Sequence, residues 1–421
     1  MPPMGCGGME IFMKTAGIIA EFNPFHNGHK YLIDTVRKKT NADHIIILCS
    51  GNFVQRGLPA IFDKTERAKT AILNGADAVF ELPCCYSTAS AENFATASVC
   101  FFHKLGCIDY LCFGCETSNT GLLENIADVL CSEPEVYKKT LSECLKKGMT
   151  FPAARAFSLK SYFKDTSASF HDKEFDEIIS SANNILAVEY LKALKKLHSS
   201  IRPIFMKRVG AGYNDTGFHY EFASATGIRK ELLGNNPADI YSFVPENSYE
   251  LIKNNKSIFL EDFSQMLGYK LLKEENFEQY YDVSRFLSNR INRLKYNFTS
   301  YEKFISDLQS KNYTYSAISR CLCHILLDIT KEDVSYFTEN GYVKYGRLLG
   351  FRKASNILSV IKEKSQIDII GKFSDYYNHC DVFSKRMLDI NVKADLLYRM
   401  VYMNKYKTAL PTEFERQIFI L

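Results

Sequence analysis

Short apolar runs that alternate with helix-length amphipathic stretches restrict the folds open to this chain more than any other feature of it. Residues 17–20 (GIIA), 44–49 (HIIILC), 78–82 (AVFEL), 110–113 (YLCF) and 202–206 (RPIFM) are rich in β-formers and short, which predicts strands buried on both faces of a parallel sheet. Residues 28–39, 64–73, 90–104, 122–130 and 174–197 have helical spacing and supply the crossovers. Repeated βα units predict an α/β doubly wound parallel sheet, Rossmann-like, whose ligands bind beyond the carboxyl ends of the strands.

The pattern changes after about residue 235. Residues 258–272, 284–294, 301–308, 317–327 and 394–403 are helical in spacing and strand candidates are sparse. A mostly helical second domain is therefore expected over 235–421, after a first over 13–234, with Pro237 and Pro245 marking the connection. Two domains suit 421 residues, because one core rarely grows beyond about 250–300. With 46% hydrophobic and 24% charged residues, the chain is neither disordered nor fibrous.

No apolar run approaches the roughly 18–20 residues that cross a bilayer, so no membrane partner is expected. The opening residues lack the basic and apolar regions of a secretory signal. Thirteen cysteines, several inside apolar runs, read as reduced thiols, and a cytoplasmic protein is the expectation. Charge is uneven: residues 251–421 hold 26 Lys and Arg against 20 Asp and Glu, while residues 1–250 hold 26 against 28. That surplus points weakly to a polyanionic partner for the C-terminal part.

Residues 17–33, GIIAEFNPFHNGHKYLI, carry the densest chemistry. A strand ends at Ala20, a turn with Asn23, Pro24, Asn27 and Gly28 follows, and a helix begins near Gly28, which places His26 and His29 at the mouth of the first crossover. A helix start offers N–H groups to phosphate, and Gly28 lets the backbone come close to a ligand. Two imidazoles there can donate to phosphate oxygens as charge shifts during a displacement.

His26-Asn27-Gly28-His29 resembles the HxGH signature of nucleotidyltransferases related to class I aminoacyl-tRNA synthetases. The longer GIIAEFNPFHNGH resembles the bacterial tRNA(Met) cytidine acetate ligase family. Segments SGNFVQRG (50–57), KTERAKTAILNGADAVFELP (64–83), FGCE (113–116), NNILAVEYLKAL (183–194), KRVGAGYND (207–215), SATGIRK (224–230) and YGRLLGF (345–351) follow in that family's order. The likeness runs from about Met13 to near the C-terminus, and residues 1–12 read as an extension or tag.

The resemblance implies a nucleotidyltransferase fold for the first domain, ATP as substrate accompanied by Mg2+, and His26 and His29 as the catalytic pair. It implies an ATP cradle of Ile19, Ala20, Glu21, Phe22, Asn23, Pro24, Phe25, His26, Asn27, Gly28, His29, Lys30, Tyr31 and Leu32, completed by Gly114, Asn184 and Arg208. Ser224, Thr226 and Arg229 stand where related enzymes carry a second phosphate-binding motif. The implied reaction makes acetyl-adenylate from acetate, then acetylates the wobble cytidine of elongator methionine tRNA, in its anticodon, to N4-acetylcytidine.

The residues read by themselves keep several roles open. Gly114 follows a strand, where a side chain would obstruct a nucleotide or where the chain only turns. Asn184 suits a helix cap, a ligand contact or both, and Arg208 suits a phosphate grip or a surface ion pair. Gln55 and Arg56 are expected to contact the acyl group or the incoming base. Lys64, Arg67 and Lys69 begin a helix, where cations oppose the dipole unless an anion is near; ATP or RNA phosphate and a solvated face are the two readings, and Lys69 is assigned to RNA.

Cys112 and Cys115 form a CxxC, and Cys321, Cys323 and His324 cluster in sequence, but neither group has the second half of a zinc site, so no protein-held metal is expected. Arg285, Arg290, Arg293, Lys295, Lys344, Arg347, Arg352 and Lys353 lie among Phe286, Tyr296, Tyr342, Tyr345 and Phe351, a mixture suited to phosphate and unpaired bases. Arg347 is the foremost RNA candidate. Two competing functions are an adenylyltransferase with a small acceptor and a non-catalytic nucleotide- or RNA-binding module.

Overall fold

Strand β2 (His44–Ser50) is buried along its whole length, because it runs through the middle of the sheet with helices on both faces. In this computed structural model, which describes residues 13–165, 172–207, 218–219, 222–234, 237–254 and 256–421, β2 pairs in parallel with β1 (Thr15–Ala20) and β3 (Ala78–Leu82). On its other side β1 pairs in parallel with β4 (Tyr110–Cys115), and β4 with β5 (Arg202–Lys207). The order β3-β2-β1-β4-β5 reverses its winding between β1 and β4, the switch point at which such sheets open a crevice.

The two-residue period of a strand separates two cores. Ile45, Ile47 and Cys49 pack with Ile33 and Val36 of helix α1 (Asn27–Thr40). Ile46 and Leu48 face the other way, toward Phe101 and Phe102. Helix α2 (Lys64–Leu73) starts at Asp63, whose carboxylate accepts from the Thr65 N–H at 3.0 Å, and α3 (Ala91–Leu105) follows β3. The single helix expected over 174–197 is two, Asp172–Ser180 and α4 (Ala182–Lys196), because the Ser181 hydroxyl caps the second by accepting from the Asn184 N–H.

The chain beyond 235 is mostly helical, as expected, but three short strands of it enter the same sheet. Strand β6 (Tyr345–Phe351) runs antiparallel to β3, with β7 (Asp368–Ile370) and β8 (Phe419–Ile420) parallel to it. The stretch around Pro237 and Pro245 is helical rather than an extended connection, and Ile240, Val244 and Ile252 join Ile61, Phe62 and Ile228 in a small core. The described cysteines are free thiols. Among the described residues no helix is long and apolar enough to cross a membrane.

A buried ionic cluster ties the tail to the sheet. Lys64 is fully buried, its Nζ 2.7 Å from Glu81, 2.5 Å from Asp395 and 2.8 Å from Glu413. Arg416 grips Asp63 with Nη1 and Nη2 at 2.6 and 2.7 Å. The cation at the start of α2 therefore meets carboxylates of this chain rather than phosphate.

Candidate active site

The loop after β1 is shaped residue by residue. Phe22 takes a left-handed backbone (φ 48°) and buries its ring against Phe25, 4.9 Å between centroids, and against the edge of His29 at 5.0 Å. The Asn23 side chain accepts from the Ile61 N–H at 2.9 Å. His26 is the N-cap of α1: its Nδ1 accepts from the Gly28 N–H at 3.1 Å, while His29 Nδ1 accepts from the His26 N–H at 3.3 Å. The two rings stack with centroids 3.8 Å apart. With both Nδ1 atoms accepting, a neutral ring carries its proton on Nε2, so each histidine is held as an Nε2–H donor.

These rings line a cavity of about 470 Å³ at the β1/β4 switch point. Ile19, Ala20, Glu21, Phe22, Asn23, Gly28, Tyr31 and Leu32 line it from the first motif, Cys112, Phe113 and Gly114 from β4, and Met206 and Lys207 from β5. Helix α5 (Ala225–Leu233) begins at the same cavity, capped by the Ser224 hydroxyl, which accepts from the Gly227 N–H at 3.0 Å. Arg229 reaches back with Nη1 to the Asn23 carbonyl at 2.6 Å and with Nη2 to the Thr226 hydroxyl at 2.9 Å. Two helix starts and the cations Lys39, Arg56, Lys207 and Arg229 thus face one space, which favours a polyanion.

Arg67, read from sequence as a phosphate or surface cation, is neither. It is 2% exposed and donates to backbone carbonyls: Nε to Phe62 at 3.0 Å, Nη1 to Glu21 at 2.6 Å and Ser50 at 3.0 Å, Nη2 to Gly51. A guanidinium's fixed fork of donors suits this role, and it locks together the carboxyl ends of β1 and β2. Gln55 and Arg56 do line the cavity, at the tip of a hairpin pairing Phe53–Val54 with Leu58–Pro59.

That hairpin is held from the C-terminal part. Gly57 has φ +67°, and a Cβ there would lie 2.5 Å from the backbone of Arg320 in helix α6 (Tyr315–Leu326). Ser319 donates its hydroxyl to the Gly57 carbonyl at 3.2 Å. Gly57→Ala combines left-handed strain with a backbone clash, so it is expected to lift the hairpin and its cavity-lining Gln55 and Arg56, and to raise the KM for a ligand of the cavity by about tenfold or more. Steady-state kinetics with unchanged KM values would show that the hairpin does not touch substrate.

Other assignments lie away from the cavity. Phe25 is buried behind the histidines and Pro24 packs beside it outside the lining. Asn27 donates to the Ser242 carbonyl at 2.9 Å, and Lys30 pairs with Asp34 at 2.8 Å on the surface. Asn184 is 2% exposed and its Oδ1 accepts from the Glu116 N–H at 2.8 Å, bracing the loop after β4, while Asn183 lines the cavity instead. Arg208 lies outside the described residues. Lys69 is half-buried over the Phe419 ring at 5.8 Å.

Arg347 requires a correction. It is 2% exposed inside β6, its Nε 3.3 Å from Glu413 and its guanidinium over the Phe373 ring at 5.4 Å. A side chain so placed cannot reach RNA, and its role is to balance buried carboxylates. Arg352 donates to the Ile72 carbonyl and Lys295 to that of Glu274, both at 2.7 Å, whereas Arg285, Phe286, Arg293 and Tyr296 are exposed. Cys112 lines the cavity, Cys115 donates to the Thr117 carbonyl at 3.3 Å, and His324 sits between the Tyr281 and Thr88 carbonyls at 3.0 and 3.1 Å. Residues missed in the sequence include Lys39, Phe94, Tyr190 and Lys207, which lie in different elements with no common motif.

Comparison with known proteins places the chain in a family. The model of the family described as HIGH Nucleotidyl Transferase matches residues 13–412. The chain is 37% identical to the tRNA(Met) cytidine acetate ligase of Acetivibrio thermocellus, over 97% of this chain and all of that one. It is 39% identical to the enzyme of the same name from Clostridium kluyveri, over 93% and 96%. Among solved structures, Thermotoga maritima TmcAL in its apo form superposes with a TM-score of 0.91 at 32% identity, covering 97% of this chain and all of that one. The same protein bound with alpha-thio ATP gives 0.89 over the same spans.

Proposed function

This chain belongs to the HIGH nucleotidyl transferases and, among them, to the tRNA(Met) cytidine acetate ligase family, and we propose how its residues carry out that ligase reaction. Acetate and ATP give acetyl-adenylate, and the acetyl group passes to the exocyclic amine of the wobble cytidine in the anticodon of elongator tRNA(Met). Residues 13–234 hold ATP and residues 235–421 hold most of the tRNA.

In the first step a carboxylate oxygen attacks the α-phosphorus, the bond to the bridging oxygen of the β-phosphate breaks, and pyrophosphate leaves. His26 and His29 donate from Nε2 to the phosphate oxygens as negative charge moves onto them. Ser224, Thr226, Arg229 and the start of α5 receive the pyrophosphate, Arg208 joins them, and Gly114 leaves room for the nucleotide. In the second step the cytidine N4 attacks the acetyl carbon and AMP leaves. Gln55 and Arg56 close over the acyl group or the base, and orientation against an activated acyl donor supplies much of the rate.

Mg2+ would enter with ATP, and its chemistry there would be to neutralise phosphate charge. Among the described residues no group of three or more His, Cys, Asp or Glu is placed to hold a metal. The exposed Arg285, Phe286, Arg293 and Tyr296 are the proposed tRNA contacts in the C-terminal part, and the reaction runs in the cytoplasm, where its substrates are.

The observation that carries this reading is the stacked His26/His29 pair at a cavity onto which two helix starts open. Incubation with labelled acetate, ATP and bulk tRNA tests it. Label in tRNA together with acetate-dependent ATP–pyrophosphate exchange is expected. Exchange that ignores acetate would mean a different acceptor, and no ATP turnover would leave only a binding module.

A further inference from the structure

The acetyl-transfer step releases a proton from the attacking amine, and the described lining of the cavity offers little to take it. Among the described residues that line it, Lys39, Arg56, Lys207 and Arg229 are cations, and His26 and His29 are held with Nε2 protonated. The lining asparagines, glutamine, hydroxyls and phenols are not bases near neutral pH, and burial pushes the Cys112 thiol up to about 12, which keeps it protonated. Glu21 is the one carboxylate among the described lining residues.

Its placement is fixed from three sides. Glu21 follows the last residue of β1 and precedes the left-handed Phe22, its carbonyl accepts from Arg67 Nη1 at 2.6 Å, and its Oε1 accepts from the Gln55 N–H at 2.9 Å. Oε2 has no hydrogen-bond partner among the described residues. A carboxylate in a cavity built for a triphosphate weakens binding by like-charge repulsion. Holding the hairpin needs only an acceptor, which a neutral amide supplies as well, so the negative charge calls for a separate reason.

We infer that Glu21 is the proton acceptor for the cytidine amine in acetyl transfer, an inference that rests on the reading above. N4 forms its bond to the acetyl carbon, the carbonyl π pair moves to oxygen and returns as the bond to the adenylate oxygen breaks, and the N4 proton passes to Glu21 Oε2. AMP leaves with the electron pair, and Glu21 later gives its proton to water. Glu21 is thus a catalytic residue of the second step, with its other oxygen still anchoring the hairpin.

The test uses the full chain, ATP, acetate and a tRNA(Met) transcript, and measures two rates: acetate-dependent ATP–pyrophosphate exchange, and single-turnover acetyl transfer from enzyme-bound acetyl-adenylate. Glu21→Gln keeps an acceptor for the Gln55 N–H and removes the base. The ratio of transfer to exchange is expected to fall about 10²-fold, the usual size of a general-base contribution, with Glu21→Asp recovering part of it. An unchanged ratio in Glu21→Gln overturns the inference, since water or the departing phosphate would then take the proton. Equal loss of both rates overturns it as well, placing Glu21 in the first step. If the wild-type protein shows no acetate-dependent exchange, the reading of the site fails rather than this role.

Discussion

Replacing His29 by alanine is expected to lower acetate-dependent ATP–pyrophosphate exchange by about 10²–10³, the loss that follows removal of one aimed donor from a developing anion. His29 does two things at once. Its Nδ1 accepts from the His26 N–H as part of the cap of α1, which in a neutral ring puts the proton on Nε2 as a donor. His29→Asn separates them, because asparagine places a carbonyl oxygen near the Nδ1 position and nothing at Nε2. If donation is the role, both variants lose exchange, and His29→Asn keeps the thermal stability of the parent. Recovery of exchange in His29→Asn would mean that the ring only shapes the helix start. The double variant with His26→Ala should lose far less than the product of the single losses, since the rings stack 3.8 Å apart and cap one another.

The parallel sheet and the HNGH turn were legible because both are local. An apolar run four to six residues long, followed by a helical stretch, is decided by near neighbours in sequence, and β3 and α2 fall where the pattern puts them. The dipole mismatch at Lys64 and Arg67 was a real signal of missing anions, but sequence spacing cannot say which anion answers. Asp395 and Glu413 come from the far end of the chain, and Arg67 is answered by four carbonyls that only the fold brings together.

Arg347 failed in sequence for the same reason. YGRLLGF has a cation among apolar residues, which suits an exposed ligand grip as well as a buried pair, and the deciding partner, Glu413, is 66 residues away. Within the site, the first motif marked about a third of the residues that line the cavity, and Gln55, Arg56, Gly114, Ser224, Thr226 and Arg229 were marked in later segments. Lys39, Phe94, Tyr190 and Lys207 reach it only through tertiary packing, and Asn183 and Asn184 differ in role because successive helix positions face different ways.

The second large effect is expected from Lys64→Met, which should destabilise the protein by about 3–5 kcal/mol, the cost of stranding buried charges, and lower Tm by roughly 3–6 °C for a chain of this size. Glu81, Asp395 and Glu413 all converge on the Lys64 ammonium. Burial alone would lower that ammonium, but Asp395, Glu413 and Glu81 outweigh it and keep it charged. Burial pushes the Asp395 carboxyl up to about 8, so the acid dependence rests on Glu413, which burial would likewise raise but which Lys64, Arg347 and Arg416 bring down to about 2. A carboxyl depressed in the folded state contributes stability that is present above its unfolded range, near pH 4, and that is lost as pH falls toward 2. The gap in Tm between the parent and Lys64→Met is therefore expected to be widest near neutral pH and to narrow between about pH 4 and pH 2, where the parent loses this term and the variant's carboxyls become neutral. A gap that stays constant across that range would show that methionine merely packs badly and that the charges contribute nothing. Because Glu81 Oε1 would lie 2.5 Å from a Cβ on Gly51, whose carbonyl Arg67 holds, the same substitution should also lower exchange activity in whatever fraction remains folded: the loop from β2 to the hairpin of Gln55 and Arg56 loses the support that the tail provides.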